Sequence, residues 1–339
     1  MSTKFKAWIS AARLRTLPLS ISGILVGSAY AFYRLENNYS LLQQQPKIGG
    51  LSDLVHAFGN GFNYWIPILA LITTLGFQVL SNFANDYGDG VKGTDNEDRV
   101  GPMRALQSGI IKPSEMKRAM VITAVLTLLS AVALIYVSLG IEQLLISLFF
   151  LVLGIAAIWA AIKYTVGDNA YGYRGLGDVF VFIFFGPVSV MGIFYLITKA
   201  VDWNMILPSI TIGLLSVAVL NLNNMRDIDS DKKAGKNTIV VKMGSMKAKL
   251  FHYTLITMAL VTASLFFISL YYKEVMDENM TQPSLLMFLP LLAFLPLFLH
   301  LKVVELNKEP ALLDPELKKV ALSTFAFAVL SVLSVWIVS

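Results

Sequence analysis

Apolar residues recur along this chain in long uninterrupted runs, and polar residues gather in the gaps between them. A helix needs about 20 mostly apolar residues to cross the hydrocarbon core of a bilayer. Windows of that kind predict nine spans, at about 17–34, 64–85, 118–139, 144–162, 177–198, 205–223, 250–272, 285–303 and 319–338. Two of the gaps are long and acidic: SNFANDYGDGVKGTDNEDRVGPMRALQSG at 81–109 and NLNNMRDIDSDKKAGKNTIVVKMG at 221–244. A further gap, about 35–63, carries LLQQQPKIGG and reads as a surface excursion. The basic, amphipathic start MSTKFKAWISAARLRTLP has no small-residue cleavage site, so it does not read as a signal peptide. The expected architecture is an all-α integral membrane protein. A single nine-helix bundle over 1–339 encloses a central cavity, with no soluble domain.

Composition narrows the chemistry. Of 339 residues, 56% are hydrophobic and only 14% charged, against about 25% charged in a typical soluble domain. Disorder, collagen-like repeats and a disulfide scaffold are excluded. Without cysteine there is no thiol nucleophile or thiolate metal site, and His56, His252 and His300 are too scattered for a zinc cluster and read as bystanders. The net charge of +5 does not indicate nucleic acid, because the inner segments hold 23 of the 27 Lys and Arg when the N-terminus is placed inside. Basic loops of that kind suit an anionic cytoplasmic leaflet of the bilayer. The expected setting is therefore a multi-pass protein of the cell (inner) membrane, with a cytoplasmic N-terminus and acidic loops and the C-terminus outside. No obligatory protein partner is implied.

The two acidic gaps begin as the inner ends of apolar helices. Asn82, Asp86 and Asp89 fall at i, i+4 and i+7, one helical face. Asn223, Asp227 and Asp231 fall at i, i+4 and i+8, on one stripe if that helix continues, with Asn224 adjacent. The motifs at Asp86 and Asp227 lie 141 residues and four spans apart, so their helices point the same way. This predicts two parallel four-helix repeats plus a ninth helix, with the acidic tips facing each other. Carboxylates so gathered (Asp86, Asp89, Asp95, Asp227, Asp231) cannot all ionise without cations. Oxygen-only donors suit Mg²⁺, which bridges carboxylates to substrate phosphates. Arg99, Arg104, Lys163, Arg226, Lys232 and Lys236 are placed to hold phosphate oxygens. An apolar bundle with such a rim fits a diphosphate carried on a long hydrocarbon tail.

The acidic run at 95–98 fits a solvated loop equally well. DIDSD imitates the start of an EF-hand, but Lys232 stands at the required glycine and Thr238 at the required glutamate. Gly186, Pro187, Pro290 and Pro296 are expected to kink or pack helices. A secondary transporter also uses intramembrane acids, but near the bilayer midplane rather than at one end.

NDYGDGVKGTD (85–95), RVGPMR (99–104), GYRGLGD (172–178) and NNMRDIDSDKKAGKNT (223–238) together resemble the UbiA superfamily of intramembrane prenyltransferases. The form of the first motif is similar to the branch acting on 1,4-dihydroxy-2-naphthoate rather than 4-hydroxybenzoate, which stays open as the alternative acceptor. The resemblance implies Mg²⁺-dependent transfer of a polyprenyl group from polyprenyl diphosphate to the naphthoate, with loss of CO₂ and diphosphate, giving demethylmenaquinol of the menaquinone pathway. The family's DxxxD is intact at Asp227 and Asp231. Asn82 and Asp86 fit its NxxxDxxxD, but position 90 is Gly, so Asp89 or Asp95 supplies the third carboxylate. The roles implied are metal binding by Asp86, Asp89, Asp95, Asp227 and Asp231. Asn82, Asn85, Asn223 and Asn224 support them. Lys163, Arg226 and Lys236 are expected on the diphosphate, as are Arg99, Arg104 and Tyr164 on the substrates. Arg174 is expected on diphosphate or acceptor, and Arg13 and Arg15 on the acceptor.

Overall fold

The computed structural model describes residues 3–44, 61–94, 103–276 and 284–338. Among these, nine helical segments are long and apolar enough to span a membrane, in the order expected. The first is broken. Helix α1 (Thr3–Ala12) stops at Arg13, which takes a left-handed conformation (φ 49°), and a 3₁₀ turn over Leu14–Thr16 leads into α2 (Leu17–Gln44). Pro18 accounts for the break, since it has no N–H to donate and its ring collides with the carbonyl four residues back. The inner face of α1 buries Ala7 and Ala11, and Trp8 meets Phe83 edge-on at 5.6 Å.

Next come α3 (Trp65–Lys92), α4 (Pro113–Leu139) and α5 (Leu144–Lys163). Helix α3 outruns its apolar stretch and ends at Gly93, whose positive φ of 74° lets its N–H return to the carbonyls of Asp89 and Gly90. The fifth span is α6 (Gly177–Ile183) and α7 (Ser189–Thr198), joined by a π-helical turn over Phe184–Val188 that contains Pro187. Helix α8 (Ile206–Arg226) follows, then the short α9 (Ile228–Lys233). The helix is interrupted at Asp227, so the stripe from Asn223 to Asp231 does not run along one continuous helix.

The last spans are α10 (Ile239–Met276), kinked at Gly244, a 3₁₀ segment Leu285–Phe294 continuing into α11 (Leu295–Leu306), and α12 (Asp314–Val338). Pro290, one of the prolines expected to kink or pack a helix, lies inside the 3₁₀ segment. In the span that contains α8, 67% of the apolar window is buried, against 6% for α5. So α8 is the axis of the bundle and α5 an outer wall. The broadest pairings are α3 with α4 and α8 with α10, with α12 packed on α2 and α8.

Lipid tails are as apolar as leucine, so close packing rather than water exclusion holds such helices together. Gly23 and Gly27, one turn apart on α2, let α7 come close: a Cβ at Gly27 would lie 2.3 Å from the Val190 carbonyl oxygen. Phe266, Phe267, Phe294 and Phe327 interlock at the centre of α10–α12. Nearer the other end of these helices His252 and His300 meet at 2.7 Å, and Glu316 takes the other side of His300 and also binds Lys319 at 2.7 Å. Two of the scattered histidines therefore join three helices, while His56 lies outside the described residues.

Candidate active site

A cavity of about 530 Å³ lies between α2, α3, α4, α5, α6, α7, α8 and α12. Its deep part is apolar, with Ile24, Leu134, Phe150, Phe184 and Leu196 among its walls. One end is polar. There α3 presents Gln78, Asn82, Asn85 and Asp89, whose spacings of four, three and four residues make one face.

Asp89 accepts a hydrogen bond from the Tyr173 hydroxyl at 2.8 Å, and Thr94 Oγ1 lies 2.6 Å from that same hydroxyl. From the second motif comes Lys236, 8% exposed, with Nζ 3.5 Å from Asp231 Oδ1. Burial alone would lower the pKa of Lys236. The Asp89 and Asp231 carboxylates outweigh it and raise that pKa above the ordinary lysine value. Burial pushes the Asp231 carboxyl up to about 6, with Asp227 and Asp89 adding to the rise against the pull of Lys236. The Tyr164 hydroxyl, at the cavity wall, is raised to about 12 by burial. One lysine thus stands among carboxylates drawn from both acidic motifs.

Asp227 is engaged differently. Arg226 is a fully buried side chain and donates from Nε and Nη2 to the two Asp227 oxygens at 2.8 and 2.7 Å. It also donates to Asn223 Oδ1 at 2.9 Å and to Asp314 at the start of α12. Arg15 reaches Asp314 at 4.0 Å from the break between α1 and α2. Arg13, Arg15, Arg104, Asn223, Arg226, Asp314 and Lys236 all line the cavity. Asp314 was not anticipated from the sequence, where DPELKK reads as an ordinary acidic helix start. Tyr173 was also not anticipated as a partner of Asp89.

Several expected residues stand elsewhere: Asp227 and Asp231 lie behind the lining, reached from it through Arg226 and Lys236. Asp86 is buried but does not line the cavity; its Oδ2 and Oδ1 accept the amides of Ala105 and Leu106 at 3.2 and 3.3 Å. One residue step around a helix is about 100°, and the step from Asn85 carries Asp86 off the cavity face. Lys163 is exposed at the end of α5, close to Gly167 rather than the cavity. Arg174 is exposed, and its carbonyl takes Lys242 Nζ at 2.7 Å. Asn224 is buried behind the lining with Oδ1 unpartnered. Asp95 and Arg99 lie outside the described residues.

A divalent cation suits this donor set. Asp231 Oδ2 is buried without a hydrogen-bond partner, and the available donors are hard oxygens. Among the described residues no three Asp, Glu or His side chains converge closely enough to hold a metal unaided.

The chain is 44% identical over 264 residues to the 1,4-dihydroxy-2-naphthoate octaprenyltransferase of Escherichia coli (strain K12), covering 78% of this chain and 77% of that one. It is 34% identical over 255 residues to the protein of the same name from Mycobacterium tuberculosis, covering 75% and 76%. A UbiA homologue from Archaeoglobus fulgidus, solved with DMAPP and Mg²⁺, shares the fold with a TM-score of 0.55 at 16% identity, over 96% of this chain and 99% of that one. The UbiA prenyltransferase family model matches residues 48–309, and the chain belongs to that family.

Proposed function

We propose that this prenyltransferase moves a polyprenyl group from polyprenyl diphosphate to 1,4-dihydroxy-2-naphthoate, with loss of diphosphate and CO₂, in a Mg²⁺-dependent reaction that yields demethylmenaquinol. The observation that carries the reading is Lys236, on the polar end of an otherwise apolar cavity that Asp89 also lines, with Asp231 behind that lining 3.5 Å from its ammonium. The names of the relatives from Escherichia coli and Mycobacterium tuberculosis support the naphthoate as acceptor. The setting proposed is the cell membrane, with the N-terminus and polar end cytoplasmic and the C-terminus outside.

Breaking the allylic C–O bond leaves a delocalised carbocation and sends the electron pair out with diphosphate. A bound Mg²⁺ would neutralise charge on that leaving group, with Asp89, Asp231 and Asp227 as its carboxylates. Lys236, Arg226 and Arg104 line the same end and hold diphosphate oxygens by charge-assisted hydrogen bonds. Arg13 and Arg15, at the break below α2, are placed for the acceptor's carboxylate. The tail occupies the apolar part, whose aromatic walls keep water from the carbocation until the electron-rich ring attacks it.

The test is turnover by purified protein given prenyl diphosphates of several lengths, with the naphthoate or 4-hydroxybenzoate, in Mg²⁺ or in EDTA. The expected result is prenylated, decarboxylated naphthoate in Mg²⁺ and none in EDTA. Transfer to 4-hydroxybenzoate alone, or undiminished transfer in EDTA, would overturn the assignment.

A further inference from the structure

The first acidic motif carries two carboxylates on α3, and their surroundings give them different work. We propose that Asp86 is a positioning residue: it anchors the turn that begins at Arg104 and so sets that guanidinium at the diphosphate end of the cavity, while Asp89 is the α3 carboxylate that faces the cation. This rests on the prenyl-transfer reading above and deepens it.

Asp86 is 1% exposed, and each of its oxygens accepts a backbone amide, Ala105 at 3.2 Å and Leu106 at 3.3 Å. An ionised acceptor makes such bonds stronger than a neutral one. The turn is built to receive it. The Ser108 amide returns to the Arg104 carbonyl at 2.9 Å, the Gly109 amide to Leu106 at 3.0 Å, and Gln107 Oε1 accepts the Arg104 amide at 3.2 Å. That coil leaves the amides of Ala105 and Leu106 directed at α3. Leu106 also packs flush on the helix, where a Cβ at Gly90 would lie 2.4 Å from its Cδ2. Arg104, the residue before the anchored amides, lines the cavity together with Asn85 and Asp89. Asp86 and Asp89 are three residues apart on one helix, yet one faces a backbone turn and the other the cavity.

The experiment compares Asp86→Asn, Asp89→Asn and Arg104→Gln in the full chain. Binding of an unreactive geranyl thiolodiphosphate over a Mg²⁺ titration is followed by calorimetry, and turnover alongside. For Asp86→Asn the expected outcome is an affinity for the diphosphate (and a KM) weakened about tenfold. Its Mg²⁺ midpoint and its kcat should stay near wild type. Asp89→Asn should instead move the Mg²⁺ midpoint. In an Arg104→Gln background, Asp86→Asn should add little, because both changes remove the same contact. Ala105→Pro deletes one of the two amide donors by a separate route and should reproduce the KM effect even if Asp86→Asn fails to fold. A Mg²⁺ midpoint shifted by Asp86→Asn as by Asp89→Asn, additivity with Arg104→Gln, or a wild-type KM in Ala105→Pro would each overturn the proposal. Analogue binding without transfer to any aromatic acceptor would overturn the functional reading and leave this one standing.

Discussion

Replacing Lys236 by Met keeps the unbranched apolar stem of the side chain and removes its charge. The structure says what that should cost. Lys236 is 8% and Asp231 4% exposed, and the charge of Asp89 also favours the ammonium. Breaking a buried pair generally costs about 3–5 kcal/mol, because the partner's charge is left uncompensated. Here there is a way to escape part of that cost. Burial already holds the Asp231 carboxyl at about 6, so at pH 7 it takes up a proton for ~1.4 kcal/mol. Adding the lost attraction to Asp89, the expected loss in metal-free protein at pH 7 is roughly 1.5–3 kcal/mol.

A divalent ion then has more to offer the variant than the wild type, since it replaces the missing cation between the two motifs. Thermal unfolding of detergent-solubilised protein, in EDTA and in saturating Mg²⁺, reads both effects. Lys236→Met should melt lower than wild type in EDTA and gain more from Mg²⁺, while turnover falls by about a hundredfold, or ~2.7 kcal/mol. A variant that melts with the wild type in EDTA and responds no more strongly to Mg²⁺ would refute the idea that Lys236 holds these carboxylates together.

Other perturbations follow from single contacts. Tyr173→Phe removes the hydroxyl that donates to Asp89; a hydrogen bond to a charged group is worth about 1.5–3 kcal/mol, so turnover at limiting Mg²⁺ should fall at least tenfold, read from the Mg²⁺ activation curve. Lys199, at the end of α7, has its pKa lowered to about 8 by burial. Its charged form therefore weakens the fold below pH 8, and stability should rise between pH 8 and about 10.5 as the folded state loses the proton first. Lys199→Met should accordingly melt higher than wild type at pH 7 and lose that advantage by pH 10, in scans at the two pH values. Gly27→Ala must push α2 off the Val190 carbonyl, with a loss of about 1–3 kcal/mol visible as a lower melting temperature.

The spans were legible because a bilayer imposes a constraint along one dimension: each crossing must be long, apolar and helical, and windows of the sequence measure that directly. Where helices end and which face they turn inward is set by neighbours, and there the sequence says less. On α3, Asn82 with Asp86 and Asn85 with Asp89 have the same four-residue spacing, so periodicity cannot choose between the pairs. The choice comes from the 104–109 turn, which takes Asp86 and leaves Asn85 and Asp89 to the cavity. Lys163 follows an apolar helix in the way a phosphate-binding lysine would, yet it lies on the outer wall that α5 forms.

Asp314 is 88 residues from Arg226 and resembles any acidic first turn. Only the packing of α12 against α8 makes it the partner of a fully buried arginine. The chemistry was legible for a related reason. A low-dielectric bundle does not tolerate a carboxylate without a partner, so acids and bases at the ends of two apolar helices had to meet something. Lys236 meets Asp231 at 3.5 Å and shares the polar end of the cavity with Asp89. Which α3 carboxylate lines the cavity and which one takes backbone amides is therefore decided by the turn that closes over α3, a segment whose path hydropathy leaves free.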